Sequence, residues 1–314
     1  MRTDIQVLVV GGSGYIGKMT SLFLKNQGVE VHGIGRNLFQ DANRWGFSSW
    51  HNLNDCAPWS ERSKLDSLRP TLVLFAAGLG SVSGFERDST ANITNEIALL
   101  ARAIEYCNSR SIQPLLVYLS SAAVYGNSPM ARNESEVLAL RDQESSYSFC
   151  KLFCEEFLQH QKHRLGLKYV ALRLGTIYGP NMTKQLVFDL FNKMSSLENQ
   201  ISLLGSATQS RDFVFVKDLA AFINFLIWRN PGTYTGPSVI NFGTGCSVPV
   251  SEVVRLVANR LSFSGNVLYE NIRNPINPDH LNLDISKLIQ LGYSCDTNME
   301  LGIDLCFQSN YSLD

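Results

Sequence analysis

The first half of the chain alternates between short apolar runs and longer segments with helical periodicity. Apolar runs of about four to eight residues, bounded by turn residues, are typical of buried strands. Strands are predicted at 5–10, 29–35, 46–50, 71–76, 114–120 and 168–174. Helices are predicted at 15–27, 88–110 and 145–165, and another ends at 65–68. This alternation predicts an α/β fold with a doubly wound parallel sheet.

After Gly175 the alternation becomes irregular. The pattern predicts a turn at 179–181, a helix at 184–194, a strand at 211–218, a helix at 219–228 capped by Asp218, a seventh strand at 239–242, a helix from Ser251 and a short C-terminal helix. Residues 1–175, with about 212–245, are therefore predicted to form the main domain. Residues 176–211 and 246–314 are predicted to form a smaller, interleaved lobe.

Composition excludes several classes of partner. The net charge of −1 gives no basic surface for nucleic acid or an anionic membrane. The longest apolar run, residues 220–228, is too short for a membrane span, which needs about 20 residues. The N-terminal apolar run leads directly into a glycine turn, so no signal peptide is expected. Seven cysteines without a CxxC pair indicate reduced thiols and a cytoplasmic protein.

One predicted helix carries candidate metal ligands. Cys150 and Cys154 are four apart on a predicted helix, and His160 and His163 follow them. No complete ligand set with zinc-like spacing appears. We therefore expect buried cysteines, solvated histidines and no metal.

The first strand ends in the glycine turn GGSGYIG, residues 11–17. These glycines satisfy either GxGxxG, from Gly12, or GxxGxxG, from Gly11. A strand, a glycine turn and a helix N-terminus together present backbone N–H groups and a positive helix dipole to an anion. The pattern predicts a Rossmann-type dinucleotide site, with cofactor contacts from Gly11, Ser13, Gly14, Tyr15, Ile16 and Gly17.

The end of the second strand distinguishes the two nicotinamide cofactors. An acidic residue there binds the adenosine ribose of NAD, whereas an arginine accommodates the extra phosphate of NADP. This chain has Gly35 and Arg36, with no carboxylate before Asp41. The pattern favours NADP(H), with Ser13 as a second donor, and leaves NAD held without a carboxylate as the alternative. The small residues Ala76, Ala77 and Gly78 after the fourth strand are expected to lie against the cofactor.

Tyr147 and Lys151 lie four apart on a predicted helix and therefore on one face. A free phenol has a pKa of ~10, and a neighbouring ammonium favours the phenolate. Such a pair is suited to moving a proton onto or off a carbinol oxygen. Ser121 follows the fifth strand, where its hydroxyl can hydrogen-bond the same oxygen. The three residues are predicted to be catalytic.

In this order the motifs resemble the extended short-chain dehydrogenase/reductase family, the NAD(P)-dependent nucleotide-sugar epimerases, dehydratases and reductases. Besides the glycine turn and the Tyr147/Lys151 pair, the similar segments are Asn92 in the long helix, SSAAVYG at 120–126, LRLGTIYGP at 172–180, RDFVFVKD at 211–218 and LDISKLIQLGY at 283–293. The resemblance covers nearly the whole chain.

The resemblance implies roles for particular residues. Tyr147 would donate or accept the proton, Lys151 would bind the nicotinamide ribose, and Ser121 would polarise the sugar oxygen. Further cofactor contacts are implied for Asn92, Leu174 and Ile177, and substrate contacts for Ser121, Ala122, Thr176, Arg211 and Arg273. The two arginines would hold the nucleotide diphosphate, which suits their planar donors.

Departures from the family pattern narrow the reaction. The 4,6-dehydratases of this family have an Asp-Glu pair where this chain has Ala122 and Ala123, so elimination lacks its acid and base. Thr176 replaces an asparagine that contacts the sugar. With Arg36, these differences favour an NADP(H)-dependent 4-ketoreductase acting on an NDP-4-keto-6-deoxyhexose in deoxysugar and polysaccharide biosynthesis.

The first alternative is an NDP-hexose 4-epimerase with tightly bound NAD. The second alternative is a catalytically inactive family member that only binds a dinucleotide. A nucleotide-diphosphate sugar is the expected partner. The resemblance also implies a homodimer through the helices at 88–110 and 146–165, which the apolar stripe from Ile93 to Ile104 permits but does not prove.

Overall fold

Seven parallel strands form the central sheet of the computed structural model, which describes residues 5–36, 39–53, 65–80, 82–111, 113–196, 199–229, 231–270 and 278–311. Numbered in chain order, these strands are β1 (Gln6–Val10), β2 (Glu30–Gly35), β3 (Ser49–Asn52), β4 (Leu72–Phe75), β5 (Leu115–Ser121), β6 (Tyr169–Leu174) and β10 (Val239–Phe242). Their spatial order is β10-β6-β5-β4-β1-β2-β3. The order reverses between β1 and β4, which confirms the predicted doubly wound, Rossmann-like sheet.

Helices cover both faces of this sheet. The helices of this part are α1 (Tyr15–Asn26), α2 (Val82–Glu86), α3 (Ser89–Asn108), α4 (Ser146–Leu165) and α6 (Val216–Trp228). Helices α1 and α6 pack together over one face, and α3 and α4 pack together over the other. Val7 and Val9 of β1 point into the first core, whereas Leu8 and Val10 point into the second. Both faces of the sheet are buried beneath helices, which explains why the strands are nearly continuous apolar runs.

The rest of the chain builds two small sheets on a third core. Its elements are β7 (Thr176–Tyr178), α5 (Leu186–Met194), β8 (Gln200–Leu203), β9 (Ser210–Phe215), β11 (Ser247–Pro249), α7 (Val250–Leu261), β12 (Asn266–Tyr269) and α9 (Met299–Tyr311). Between the last two, α8 (Ser286–Gln290) packs against β10 and buries Leu288 in the first core. Strands β11, β9 and β7 form one sheet, and β12 pairs with β8 in the other. The boundary proposed between the two domains stays a prediction.

Two sequence predictions need correction. The third strand begins at Ser49, because residues 42–45 form a short 3-10 helix that ends at Gly46, whose φ is +91°. Asp218 does not cap a helix, since α6 already begins at Val216 and Asp218 lies in its first turn. The Asp218 carboxylate instead accepts hydrogen bonds from the N–H and hydroxyl of Thr297, which ties α6 to the C-terminal segment.

A buried ion pair lies beneath the end of the central sheet. The Arg173 guanidinium on β6 donates to both oxygens of Glu155 on α4, at 2.7–3.2 Å. Ser120 also donates to Glu155, and Arg173 donates to the Tyr125 hydroxyl at 2.9 Å. Burial disfavours the charged guanidinium, but the Glu155 carboxylate raises the pKa of Arg173 above its ordinary value. The network fixes α4 against β5 and β6.

Within the described ranges, no helix is both long enough and apolar enough to cross a membrane.

Candidate active site

The glycine turn after β1 is shaped by close backbone contacts. Gly11 has φ of +82°, and a Cβ there would lie 2.6 Å from the backbone of Ala77 after β4. A Cβ on Gly17 would lie 2.7 Å from the Gly11 carbonyl oxygen. Gly14 precedes α1 and supplies no side-chain cap, so the first N–H groups of the helix stay available to an anion. The turn therefore has the close backbone packing and uncapped helix start that a phosphate cradle requires, and its contact with a phosphate stays a prediction.

Replacing Gly11 with alanine is expected to destabilise the protein and weaken dinucleotide binding at least tenfold. The new Cβ would meet the Ala77 backbone and would also occupy a left-handed conformation that costs about 1–3 kcal/mol. Gly28 has φ of +78°, and no atom lies within 4 Å of the position that a Cβ would take there, so Gly28→Ala is the matched control. Thermal unfolding and dinucleotide titration should show a larger loss for Gly11→Ala. Equal losses would mean that close packing at Gly11 is not the cause.

A cavity of about 390 Å³ opens beside this turn. Eight of the predicted cofactor residues line it, namely Gly11, Ser13, Gly14, Arg36, Ala76, Ala77, Gly78 and Asn92. Asn92 also donates from its amide to the Phe85 carbonyl at 2.9 Å, which fixes α2 against α3. The structure thus brings the ends of β1, β2 and β4 together around one space.

Other predicted cofactor residues do not line this cavity. They are Tyr15, Ile16, Gly17, Tyr147, Lys151, Leu174 and Ile177. Gly17 shapes the turn, while Leu174 and Ile177 are buried in the core on the α1 and α6 face. Their direct contact with a cofactor stays a prediction.

An aromatic ring occupies the space beside Gly35 at the end of β2, the position predicted to contact the adenosine ribose. A Cβ on Gly35 would lie 2.5 Å from the indole of Trp50 on β3, and a Cβ on Gly33 would meet the same ring at 2.5 Å. Phe39 and Phe47 pack edge-on against Trp50, with ring centroids 5.0 and 5.4 Å away. No carboxylate can therefore occupy position 35 without displacing this aromatic cluster.

Lys151 of the predicted catalytic pair contacts the end of β5, and Tyr147 lies one helical turn before it on α4. Tyr147 is 8% exposed, and its ring packs against Phe85 with centroids 5.6 Å apart. The Lys151 ammonium donates to the Leu119 carbonyl at 3.1 Å and to Glu96 Oε1 at 2.7 Å. Burial favours the neutral amine, but the Glu96 carboxylate outweighs it and raises the pKa of Lys151. Lys151 is therefore a fixed cation that reaches the strand end two residues before Ser121.

Ser121 is the last residue of β5, and its Oγ accepts from the Ala123 N–H at 3.2 Å. This contact caps the short 3-10 helix at 122–125 and leaves the hydroxyl proton available to a ligand oxygen. Ala122 has no exposed surface. Ala123 is partly buried against the α3 and α4 core. The short 3-10 helix therefore offers no carboxylic acid or base at these two positions.

The predicted diphosphate ligands are split between described and undescribed residues. On β9, one nitrogen of Arg211 donates to the carbonyl oxygens of Ser210 and Asp279, at 2.9 and 2.7 Å. Burial lowers the pKa of Arg211, and the charge of Asp279 opposes that effect. Thr176 begins β7, which pairs with β9. Arg273 lies outside the described residues.

Several lining residues were missed by sequence reasoning, notably Asn95, Glu96 and Arg102 on α3. A polar residue on a long helix is ordinarily assigned to the solvated face, so these positions carry no local signal. The position of Trp50 did have a local signal in the sequence, because Gly33 and Gly35 lie on the same face of β2. Two glycines at this spacing in a strand indicate that another group approaches closely.

Cys150 and Cys154 lie beside Glu96, with the three candidate ligand atoms within 4.8 Å of one another. The contact with Cys154 and burial both raise the pKa of Cys150, so this thiol is held protonated. A metal ion needs thiolates, and Lys151 already occupies one oxygen of Glu96. The absence of a metal from this group stays a prediction.

The cavity fits a nicotinamide dinucleotide. The glycine turn presents the uncapped N–H groups of α1 to an anion, and Arg36 supplies a cation on the cavity lining at the end of β2. At the other end, Glu96 Oε2 is buried and has no hydrogen-bond partner among the described residues. An unsatisfied buried acceptor indicates that a ligand donor belongs there.

Comparisons with known proteins agree with this geometry. The family model named NAD dependent epimerase/dehydratase family matches residues 7–243. UDP-glucuronate 4-epimerase 4 of Arabidopsis thaliana is 28% identical over 332 residues, which cover 96% of this chain and 74% of that protein.

Solved structures share the fold. The UDP-glucose 4-epimerase of Thermus thermophilus, in complex with NAD, has a TM-score of 0.80 at 21% identity and covers 96% of this chain and 99% of its own. A UDP-N-acetylglucosamine 4-epimerase from Methanobrevibacter ruminantium, in complex with UDP-N-acetylmuramic acid, has a TM-score of 0.81 at 24% identity, covering 96% and 98%. The chain belongs to the NAD dependent epimerase/dehydratase family, within the extended short-chain dehydrogenases/reductases.

Proposed function

We propose that this protein is a nucleotide-sugar 4-epimerase that retains a nicotinamide dinucleotide between turnovers. The observation that carries the proposal is Lys151 at the end of β5, which is bonded to Glu96 of the cavity lining, lies one helical turn from Tyr147 and has no acid–base pair near it at Ala122 and Ala123. Alignment over 96% of the chain with a UDP-glucuronate 4-epimerase supports the same reaction. A UDP-hexose or UDP-hexuronate is the proposed substrate class.

The residues of this chain would handle the proton. Tyr147 would take the proton of the sugar C4 hydroxyl and later return it to the same oxygen. Lys151 would stabilise the phenolate form by its positive charge, and Ser121 would donate a hydrogen bond to the oxygen. A bound nicotinamide dinucleotide would supply the acceptor and donor of the C4 hydride. Arg211 would hold the diphosphate, and Arg273 is proposed to join it.

The sequence prediction of an NADP(H)-dependent 4-ketoreductase remains as a second candidate, favoured by one observation. Trp50 closes position 35 to the carboxylate typical of NAD binding, and Arg36 and Arg102 are exposed on the lining of the cavity. Two guanidinium groups suit the additional phosphate of NADP. An epimerase recycles its cofactor, so a preference for NADP would favour net reduction.

Release of the bound cofactor from purified protein separates the two candidates. The epimerase proposal expects close to one equivalent of nicotinamide dinucleotide per chain after gel filtration, detected by mass spectrometry. Protein that elutes empty and oxidises NADPH with an NDP-4-keto-6-deoxyhexose would overturn it. A homodimer also stays a proposal, since the stripe from Ile93 to Ile104 packs within the chain's own core.

Replacing Arg36 with leucine is expected to weaken NADP(H) binding about 10- to 100-fold and to leave NAD(H) binding unchanged. Charge-assisted hydrogen bonds contribute about 1.5–3 kcal/mol each, and each 1.4 kcal/mol is tenfold in affinity. Arg44→Leu removes an exposed cation that does not line the cavity and is the control. Equal effects on both cofactors in a titration would show that Arg36 does not read the phosphate.

A further inference from the structure

Glu96 occupies an unusual position for a carboxylate on a helix. It lies in α3, is 3% exposed, and its Oε1 accepts from the Lys151 ammonium and from the Tyr118 hydroxyl, both at 2.7 Å. Burial raises the pKa of Tyr118, which keeps this hydroxyl a donor. Oxygen Oε1 is therefore fixed by one charged and one neutral donor from two other elements.

The second oxygen of Glu96 has no such partner. Among the described residues nothing donates to Oε2, although the atom is buried. It faces Gly78 at the end of β4, where a Cβ would lie 2.6 Å from it, and Glu96 lines the same cavity as the glycine turn. A buried acceptor without a donor costs about 1–3 kcal/mol, and more when it is charged. The missing donor is therefore expected from whatever fills the cavity.

The chemistry of a nicotinamide dinucleotide limits which of its groups can meet Oε2. Its phosphates are anions and would be repelled by a carboxylate, whereas its ribose hydroxyls are donors. Arg36 marks the adenosine end of the cavity. Glu96 is bonded to Lys151, one turn from Tyr147, so it marks the reacting end. A hydroxyl of the nicotinamide ribose is the donor that this arrangement fits.

We propose that Glu96 is a cofactor-binding residue whose Oε2 accepts a hydrogen bond from a hydroxyl of the nicotinamide ribose. The proposal rests on the dinucleotide cofactor of the proposed function. Two of the three Lys151 ammonium protons are already engaged, by Glu96 and by the Leu119 carbonyl. Glu96 and Lys151 together would thus hold the ribose, one as acceptor and one as remaining donor.

Binding measurements test this without any sugar. The bound cofactor is first removed from the purified protein. This cofactor-free protein is then titrated calorimetrically with the same dinucleotide, with its analogues that lack the 2′- or 3′-hydroxyl on the nicotinamide ribose, and with ADP. Glu96→Gln is expected to weaken the dinucleotide about tenfold, because a charged acceptor becomes a neutral one, and to leave ADP within about twofold. Glu105→Gln removes an exposed carboxylate from the same helix and should change neither affinity.

The deoxy analogues allow a thermodynamic cycle in which two ligands are compared in the wild-type protein and in the variant. The difference between the two ligands within one protein does not depend on the stability of that protein. One deoxy analogue should bind wild-type protein about tenfold more weakly than the dinucleotide, and this difference should shrink in Glu96→Gln. An unchanged dinucleotide affinity in Glu96→Gln, a parallel loss for ADP, or an equal penalty for the deoxy analogue in both proteins would each overturn the proposal. Because no sugar is present, these results are independent of whether the enzyme epimerises or reduces.

Discussion

Replacing Tyr147 with phenylalanine is expected to lower kcat about a thousandfold and to leave dinucleotide affinity within about twofold. General acid–base catalysis by a positioned side chain contributes about 10²–10⁴ in rate, and in the proposed mechanism the phenol carries the proton. The ring would keep its packing against Phe85, and the backbone N–H of Tyr147 would keep its bond to Glu86 Oε1 at 3.1 Å. Steady-state kinetics and cofactor titration measure the two effects separately.

Tyr169→Phe is the matched control for this variant. Tyr169 is another buried tyrosine, on β6, and its hydroxyl donates to Gln159 Oε1 at 2.8 Å. It begins β6 and lies opposite Leu116 near the start of β5, away from Ser121 at the other end of that strand. This control should keep kcat within a few-fold of wild type. If Tyr147→Phe retained comparable turnover, Tyr147 would have no part in the proton transfer.

Replacing Arg173 with methionine is expected to lower the free energy of unfolding by about 3–5 kcal/mol. Removing one partner of a buried ion pair leaves the other charge without compensation. Here Glu155 is 4% exposed and would keep only the Ser120 hydroxyl as donor among the contacts described above. Denaturant unfolding with linear extrapolation gives the size of the loss.

Two comparisons identify the cause of that loss. The double variant Glu155→Leu/Arg173→Met removes both charges and should recover about half of the lost stability or more. Arg255→Met breaks the exposed pair with Glu252, whose side chains are 56% and 40% exposed, and should leave the unfolding curve unchanged. A double variant as unstable as the single one would mean that packing volume, and not an unpaired charge, is responsible.

The sequence predicted most accurately those strands whose apolar pattern matches their burial in the fold. The run Gln6–Val10 is buried on both faces of the sheet, so its apolar pattern survives in the structure almost unchanged. The same holds for β5 and β6, whose predicted ends differ from the observed ones by one residue at most. Glycine spacing also located the close turn after β1, because backbone contacts there exclude a side chain at Gly11 and Gly17.

The small lobe carried weaker signals. Strands β8 and β12 are four residues each and pair across about sixty residues of chain, with Gln200 opposite Asn266. Residues of β12 are only half buried or exposed, so no alternation with a dry face marks the strand. Such short strands are defined by their partners, which one local window of sequence does not contain.

The residues of the candidate site also differ in whether the local sequence predicts their role. Tyr147 and Lys151 were recognisable because their spacing lies within one helix. Glu96 was not, because its burial depends on Lys151 from α4 and Tyr118 from β5. The prediction of an NADP-dependent reductase depended largely on Arg36, and one exposed cation does not distinguish reduction from epimerisation. Whole-chain similarity to a 4-epimerase, together with the retained catalytic pair, makes epimerisation the better-supported proposal.

The most direct test of 4-epimerisation is the configuration at C4 after incubation with a UDP-sugar, followed by proton NMR without added cofactor. UDP-glucuronate, UDP-glucose and UDP-N-acetylglucosamine are the substrates to compare. We expect at least one of them to convert to an equilibrium mixture of its C4 epimers, with no net change in NAD(P)H absorbance at about 340 nm. No epimer from any of them, combined with stoichiometric NADPH oxidation by an NDP-4-keto-6-deoxyhexose, would contradict this expectation.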